Sequence, residues 1–289
     1  MHRFTGQLPI EFMKMHGSGN DFVVIDNRAG VLDEVDLSTF SELVSRRAMS
    51  IGADGVVMVE NPIEPETDFR WRYFNADGSE GEMCGNGAMC GARFAELIGA
   101  ANSDMAFSTM SGKVRARVHG DTGQVALAMP DSGAVEAPRS VEVDGVVYEL
   151  IPIQVGVPHC VLYVDDADTF GNRAELERIG RAIRRSGAFL PDGTNVNVVS
   201  LLGGNRLRMR TYERGVEAET LACGTGAVAS AVVSASRGLV SAPVEIITSS
   251  GMSLVASFDL SENGARTVTL QGQTRIVMTG TIRPDALVR

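Results

Sequence analysis

Short apolar runs bounded by Gly, Asp and Asn recur along the whole chain: Phe22–Ile25, Val56–Val59, Lys113–Val118, Gln124–Met129, Val161–Val164, Val196–Val199, Val244–Ile247 and Thr267–Leu270. Runs of this length, some of them alternating with polar residues, predict β-strands. Two stretches switch to a helical period with a polar face, about Leu37–Met49 and Ala174–Ser186. Acidic residues lie near the start of each and arginine pairs at the end, Arg46-Arg47 and Arg184-Arg185, which complements a helix dipole. Those arginines read as helix C-terminal charges on a solvated face. The segments Ala88–Gly99 and Ala227–Ser236 differ, being small or apolar with few charges. A helix without a broad polar face is buried, so each is expected inside a curling sheet.

The pattern occurs twice. Gly19 to Arg47 spans 28 residues and Gly156 to Arg185 spans 29; Arg47 to Asp54 and Arg185 to Asp192 span 7 each. Asp54 to Cys84 is 30 and Asp192 to Cys223 is 31, and each cysteine precedes a Ser-Gly pair (Ser111-Gly112, Ser250-Gly251) by 27. The order within each copy is the same: an apolar run, a helix ending in two arginines, Asp-Gly, a strand, a cysteine loop. The period is far longer than that of solenoid repeats. The predicted fold is therefore α+β, two pseudo-symmetric domains from an internal duplication, each a mostly antiparallel sheet around a central buried helix. Residues 1–130 form the expected first half and 131–276 the second, with 277–289 packing back on the first; Pro130–Pro138 is the softest connection.

Composition narrows the class. With 26 Lys and Arg against 36 Asp and Glu, the net charge is −10, which argues against nucleic acid or an anionic membrane surface as a partner. Met1–Phe12 lacks the apolar core of an export signal. The most apolar later stretch, Ala222–Ala235, carries Gly, Thr and Ser and falls short of a membrane span. Four cysteines without dense spacing suit a reducing compartment, and the expected location is cytoplasmic. The separation of Cys84 from Cys90 does not fit a zinc knuckle, and the four histidines are scattered, so no metal site is expected.

The chemistry lies in Cys84-Gly85-Asn86-Gly87-Ala88 and Cys223-Gly224-Thr225-Gly226-Ala227. Each places a thiol at the start of a buried helix. There the exposed N–H groups and the positive dipole end bind carboxylates, and the same field draws a thiol's pKa down from about 8.5. Glycine permits close backbone approach to a ligand. Two such thiols, one on each face of a carbon, are what stereoinversion requires. Only two lysines exist, Lys14 and Lys113, neither in a recognisable pyridoxal phosphate context. Cys90 and Cys160 read as core residues.

Further strings complete the picture: Met15-His16-Gly17-Ser18-Gly19-Asn20-Asp21-Phe22, Phe74-Asn75-Ala76-Asp77-Gly78-Ser79-Glu80, Pro158-His159 and Tyr212-Glu213-Arg214-Gly215. Together with the cysteine loops, and in this order along nearly the whole chain, they resemble the diaminopimelate epimerases. The resemblance implies a cofactor-free isomerase that converts LL-2,6-diaminopimelate to the meso form in lysine and cell-wall precursor supply. It implies Cys84 and Cys223 as alternating base and acid, and His159 and Glu213 as groups that tune the thiols. The reacting carboxylate would be held by backbone amides at Gly85, Asn86, Gly224 and Thr225, and the remote groups by Asn20, Asn75, Asn195, Glu213 and Arg214. The partner is a small amino acid, and a homodimer is compatible with the family.

The chain also departs from the family pattern. Val157 stands where Asn often precedes Pro-His, Gly55 where Gln can occur, and Val216-Glu217-Ala218-Glu219-Thr220 is one residue longer than the commonest version. Val157 keeps open the same chemistry on another amino acid. Proline racemases share the idea but not these motifs, and phenazine-type isomerases lack the cysteine pair. A phosphate-binding module would need a Gly-Lys-Ser/Thr element that is absent. A thiol redox switch would leave Asn75, Asn195, Glu213 and Arg214 unexplained.

Overall fold

The structure is a computed structural model that describes residues 9–288. The stretch read for an export signal thus lies, through residue 8, outside the described residues. Packing divides the chain into two compact units: one runs up to Leu127 and resumes at Gly272, and the other is Ala128–Gln271.

The first unit contains β1 (Ile10–Gly17), β2 (Asn20–Asp26), α1 (Leu37–Ser45), β3 (Gly55–Glu60), β4 (Phe69–Asn75), β5 (Glu80–Gly81), α2 (Gly85–Leu97), β6 (Asp104–Thr109), β7 (Gly112–Val118) and β8 (Gln124–Ala128). The second contains β9 (Arg139–Val143), β10 (Val146–Val155), β11 (Val157–Tyr163), α3 (Arg173–Arg184), β12 (Asn195–Gly203), β13 (Arg206–Glu213), β14 (Ala218–Thr220), α4 (Gly224–Ser236), β15 (Val244–Ile247) and β16 (Ser253–Ser261). A long final strand, β17 (Gly264–Ile282), runs from the second unit into the first.

Strand pairing shows the duplication directly. In the first unit β1–β2 is antiparallel, β2–β3 parallel, β3–β4 antiparallel, β4–β6 parallel and β6–β7 antiparallel. The second repeats that succession in β10–β11, β11–β12, β12–β13, β13–β15 and β15–β16. A parallel pair needs a crossover, usually helical; α1 and α2 supply it in one unit, α3 and α4 in the other. Phe22 faces Gly55 and His159 faces Asn195, so Phe22 and His159 hold equivalent places. Because Val56 faces Phe74 and Val196 faces Tyr212, Asn75 and Glu213 are equivalent as well.

The two faces of each sheet are covered by different helices. α2 packs on β1, β2, β3, β4 and β7, and α4 on β10 to β13, β15 and β16. On the other face, Phe40, Leu43 and Val44 of α1 pack with Val23, Ile25, Val56 and Met58. Leu176, Ile179 and Ile183 of α3 do the same with Cys160, Leu162, Val196 and Val198. Strands covered on both sides read as continuous apolar runs rather than alternating ones, which is why Phe22–Ile25 is buried throughout. Glycine sets the helix–sheet spacing at two points. A Cβ at Gly91 would lie 2.6 Å from Trp71 Cδ1, and one at Gly180 2.6 Å from Tyr212 Cβ.

Two expectations need correction. α1 ends at Ser45 rather than Met49, because Arg46 turns to extended backbone (φ −64, ψ 113) and Ala48 takes φ 64. The arginine pairs are also more than solvated charges. Arg47 ion-pairs with Asp21 and Asp54, and Arg184 and Arg185 both pair with Glu217.

Candidate active site

Cys84 and Cys223 are the N-cap residues of α2 and α4, two helices of 13 residues each. In α1 and α3 the side chains of Asp36 and Asn172 accept from first-turn N–H groups, as N-caps ordinarily do. Neither cysteine makes such a cap. No side chain at the N-cap therefore competes for the first-turn donors at Gly85, Asn86, Gly224 and Thr225, which leaves each helix start suited to an anion.

In the first unit Cys84 is half-buried, and the helix behind it rests on aromatic rings. Trp71 Nε1 donates to the Gly87 carbonyl at 3.4 Å. Trp71 stacks on Tyr73 with centroids 5.7 Å apart, and Phe22 meets Tyr73 edge-on at 6.0 Å. Ser18 and Gly19, both at positive φ, turn β1 tightly into β2 and place Asn20 at the strand start. Asn20 Nδ2 donates to Asp54 Oδ2 at 3.2 Å, and its Oδ1 accepts from Asn86 Nδ2 at 2.6 Å. Asn75, at the end of β4, donates to Ser79 Oγ at 3.0 Å. The structure brings Asn20 and Asn86 into one hydrogen-bonded group; Asn75 belongs to the neighbouring turn.

In the second unit the equivalent floor is polar. Asn197 sits at its centre: its Oδ1 accepts from Thr211 Oγ1 at 3.0 Å, and its Nδ2 donates to the Cys160 carbonyl at 3.1 Å. With the amide so oriented, Nδ2 lies 3.2 Å from His159 Nδ1, which assigns Nδ1 as the acceptor and puts the ring proton on Nε2. His159 Nε2 is buried and has no hydrogen-bond partner. Burial, aided by the Arg214 charge, lowers the imidazole pKa to about 3, so the ring is neutral. Asn195 donates to the Pro158 carbonyl at 2.9 Å and accepts from the Arg214 backbone N–H at 2.8 Å. Burial raises the pKa of Glu213, an effect partly offset by the Thr220 hydroxyl, 2.9 Å from its carboxylate. Cys223 is buried, its Sγ 3.6 Å from Thr225 Oγ1.

Residue-by-residue reading overlooked Asn197 and Thr211. Asn197 lies two residues beyond Asn195, and period-two alternation puts both on one face of the strand. It also overlooked Asp54, Arg47, Asp21 and Lys14. Lys14 is buried, pairs with Asp21 at 2.8 Å and donates to the Gly52 carbonyl. Burial alone would raise Asp21, but the Arg47 and Lys14 hydrogen bonds outweigh it and hold the carboxyl at about 2. Val157 opens β11, partly exposed. At Gly55 a Cβ would lie 2.5 Å from the Tyr73 ring and from the Phe74 carbonyl oxygen, so that ring occupies the space of a longer side chain. Among the described residues no cluster of three or more His, Cys, Asp or Glu is placed to hold a metal ion. No described helix is long and apolar enough to cross a membrane.

Comparison with known proteins agrees with this architecture. A phenazine biosynthesis protein of the PhzF family from Bacillus anthracis superimposes with a TM-score of 0.70 at 12% identity, over 96% of this chain and 100% of that one. A probable proline racemase from Agrobacterium radiobacter K84 gives 0.65 at 16% identity, over 95% and 93%. At these identities the likeness is one of fold. In sequence, the diaminopimelate epimerase profile matches residues 12–135 and 152–283. The diaminopimelate epimerase of Aquifex aeolicus is 40% identical over 285 residues, covering 96% of this chain and 99% of the relative.

Fold and sequence together define an isomerase, of the class of amino-acid epimerases that work without pyridoxal phosphate. Within that class the chain belongs to the diaminopimelate epimerase family.

Proposed function

We propose that the protein interconverts LL- and meso-2,6-diaminopimelate by proton transfer between two cysteines, in the cytoplasm, for lysine and peptidoglycan precursor synthesis. The observation that carries this reading is a cysteine at an uncapped helix N-terminus in each of two duplicated units, in a chain of this family. One cysteine, as thiolate, takes the α-proton and becomes a thiol. The electron pair left on carbon delocalises into the α-carboxylate. The other cysteine, as thiol, returns a proton to the opposite face and becomes the thiolate, and the reverse reaction exchanges the roles.

The helix starts supply what the carbanion needs. Backbone N–H groups at Gly85, Asn86, Gly224 and Thr225 hold the carboxylate as its charge grows, and fixed dipoles need no reorganisation at that moment. Asn20, Asn75, Asn195 and Arg214 bind the remote amino and carboxyl groups. His159 offers a buried N–H donor without a partner, suited to steady an anionic neighbour such as a thiolate. Glu213, its pKa raised by burial, holds a proton more readily than a solvated carboxylate and tunes the thiols with it.

Incubation in D₂O with LL-diaminopimelate, beside a panel of other L-amino acids, tests this by NMR. α-Deuteration with inversion only for diaminopimelate is the expected result. Val157 favours a second reading, the same two-thiol chemistry on a different amino acid, which exchange confined to another member of the panel would select. No exchange on any amino acid would sink both.

A further inference from the structure

The first unit carries a group of charged side chains that the reaction itself does not use. Asp54 accepts from Asn20 Nδ2 at 3.2 Å and from the Asp21 backbone N–H at 3.2 Å. Asp21 in turn accepts from the Asp54 backbone N–H at 3.1 Å. Arg47 clamps both carboxylates, at 2.6 Å to Asp21 and 2.8 Å to Asp54, and Lys14 supports Asp21 from below. The Arg47 side chain is 61% exposed, and exposed ion pairs contribute little to stability. The Arg47–Asp54 contact, exposed on both sides, is therefore better explained by direction than by energy.

A carboxylate only accepts hydrogen bonds, whereas an amide has one donor end and one acceptor end. Asn20 beside Asp54 must turn its Nδ2 toward the carboxylate. Its Oδ1 then faces Asn86, which donates to it at 2.6 Å from the first turn of α2, two residues beyond Cys84. We propose that Asp54 is a positioning residue: it sets the orientation of the Asn20 amide and, through it, the placement of Asn86 at the thiol-bearing helix start.

The duplication provides an internal comparison. Strand register makes Val157 the equivalent of Asn20, and Val157 has no amide to orient. There the position of Asp54 falls on Thr194, whose hydroxyl donates to the Asn195 carbonyl, and Arg185 pairs with Glu217. The carboxylate–arginine clamp exists in the unit that has an asparagine to fix.

This inference rests on the substrate-binding role proposed for Asn20 and Asn86, and its test separates the two. Asp54→Asn keeps the size but lets either end of the Asn20 amide face it; Asp54→Ser, too short to reach, serves as a second variant. The Asp54 side chain is 38% exposed, so neither change opens the core. For both, KM for LL-diaminopimelate should rise on the order of tenfold with kcat changed less than about threefold. In the Asn20→Ala background, Asp54→Asn should add nothing further. Independent multiplication of the two effects, or an unchanged KM, overturns the proposal. Side-chain amide hydrogen exchange gives a readout that needs no turnover. Asp54→Asn should speed exchange at Asn20 and Asn86 and leave Asn75 unchanged. If neither Asn20 nor Asn86 responds, Asp54 does not position them, whatever the kinetics. If the wild type turns over no amino acid, the functional reading fails while the exchange result still decides the positioning.

Discussion

At the scale of single residues, the thiols differ in what lies behind their helices. Cys84 belongs to a helix resting on Phe22, Trp71 and Tyr73; the matching floor in the second unit is His159, Asn197 and Thr211. Both are nevertheless N-caps without a side-chain cap bond, and this predicts an unusual mutational signature. Serine is a good N-cap, so Cys84→Ser and Cys223→Ser should keep or slightly raise the melting temperature. Epimerisation should fall on the order of 1,000-fold, the scale of a lost general acid or base. Near-native turnover in either variant would show that its thiol is not one of the two bases. His159 carries a second expectation. Its folded pKa is about 3 against an ordinary 6.5, so the fold favours the neutral ring. That contribution is complete above about pH 6.5 and is lost as pH falls toward 3, because only the unfolded chain takes up the proton. His159→Phe, which copies the first unit's Phe22, should make the melting temperature fall less between pH 6.5 and 4. The Asp21 contribution lies lower, between 3.8 and about 2, and does not obscure it. Equal pH dependence of variant and wild type would contradict the assignment.

At the scale of elements, the sequence pattern was most informative where a strand or helix is buried on every side. Phe22–Ile25, Val56–Val59 and Val196–Val199 all lie in strands, and the apolar stretches after the cysteines lie in α2 and α4. Strands that alternate with charge went unread: β4 (Phe69–Asn75) and β13 (Arg206–Glu213) interleave arginines with apolar residues. β17 is foreseen only over Thr267–Leu270; from Thr274 onward it is held by pairing with β1, and its apolar residues Ile276, Val277 and Met278 are exposed there rather than buried in a core. α1 ends early where Arg46 turns to extended backbone, and the pairing of Arg47 with Asp21 and Asp54 beyond that turn joins residues distant in sequence. The glycine loops are legible as motifs, but their separate roles depend on what packs against each glycine. A Cβ at Gly226 would lie 2.4 Å from Asn197 Oδ1 and 3.2 Å from Cys223 Sγ, whereas one at Gly85 meets nothing within 4 Å. Gly226→Ala should therefore destabilise by about 1–3 kcal/mol, as overpacking does. Gly85→Ala should leave stability within about 0.5 kcal/mol, the usual range for a change that disturbs no packed contact. Its activity should still fall, since the added methyl stands beside the amides proposed to receive the carboxylate. Urea denaturation of the two variants side by side measures the contrast, and equal destabilisation would contradict it.

At the scale of the whole chain, four cysteines are divided evenly between the units, and their surroundings sort them into two kinds. Cys90 and Cys160 are fully buried, and burial pushes the Cys90 thiol well up and the Cys160 thiol to about 12. Such thiols form little thiolate and react slowly. Cys84 and Cys223 stand at helix starts, where anionic sulfur is favoured. Iodoacetamide under native conditions should modify Cys84 and Cys223 and spare the other two; all four should react in denaturant. Substrate then tests what the duplication is for. If each unit bound its own ligand, a ligand fitting one would leave the thiol of the other reactive. If two-thiol inversion at one carbon is the function, LL-diaminopimelate should slow alkylation of Cys84 and Cys223 together, with the same concentration dependence. Peptide mass spectrometry across a substrate titration reads both sites in one experiment. Two matching protection curves would show one ligand engaging a thiol from each unit. Protection of a single cysteine would leave one base without a partner, and the inversion would need another proton donor.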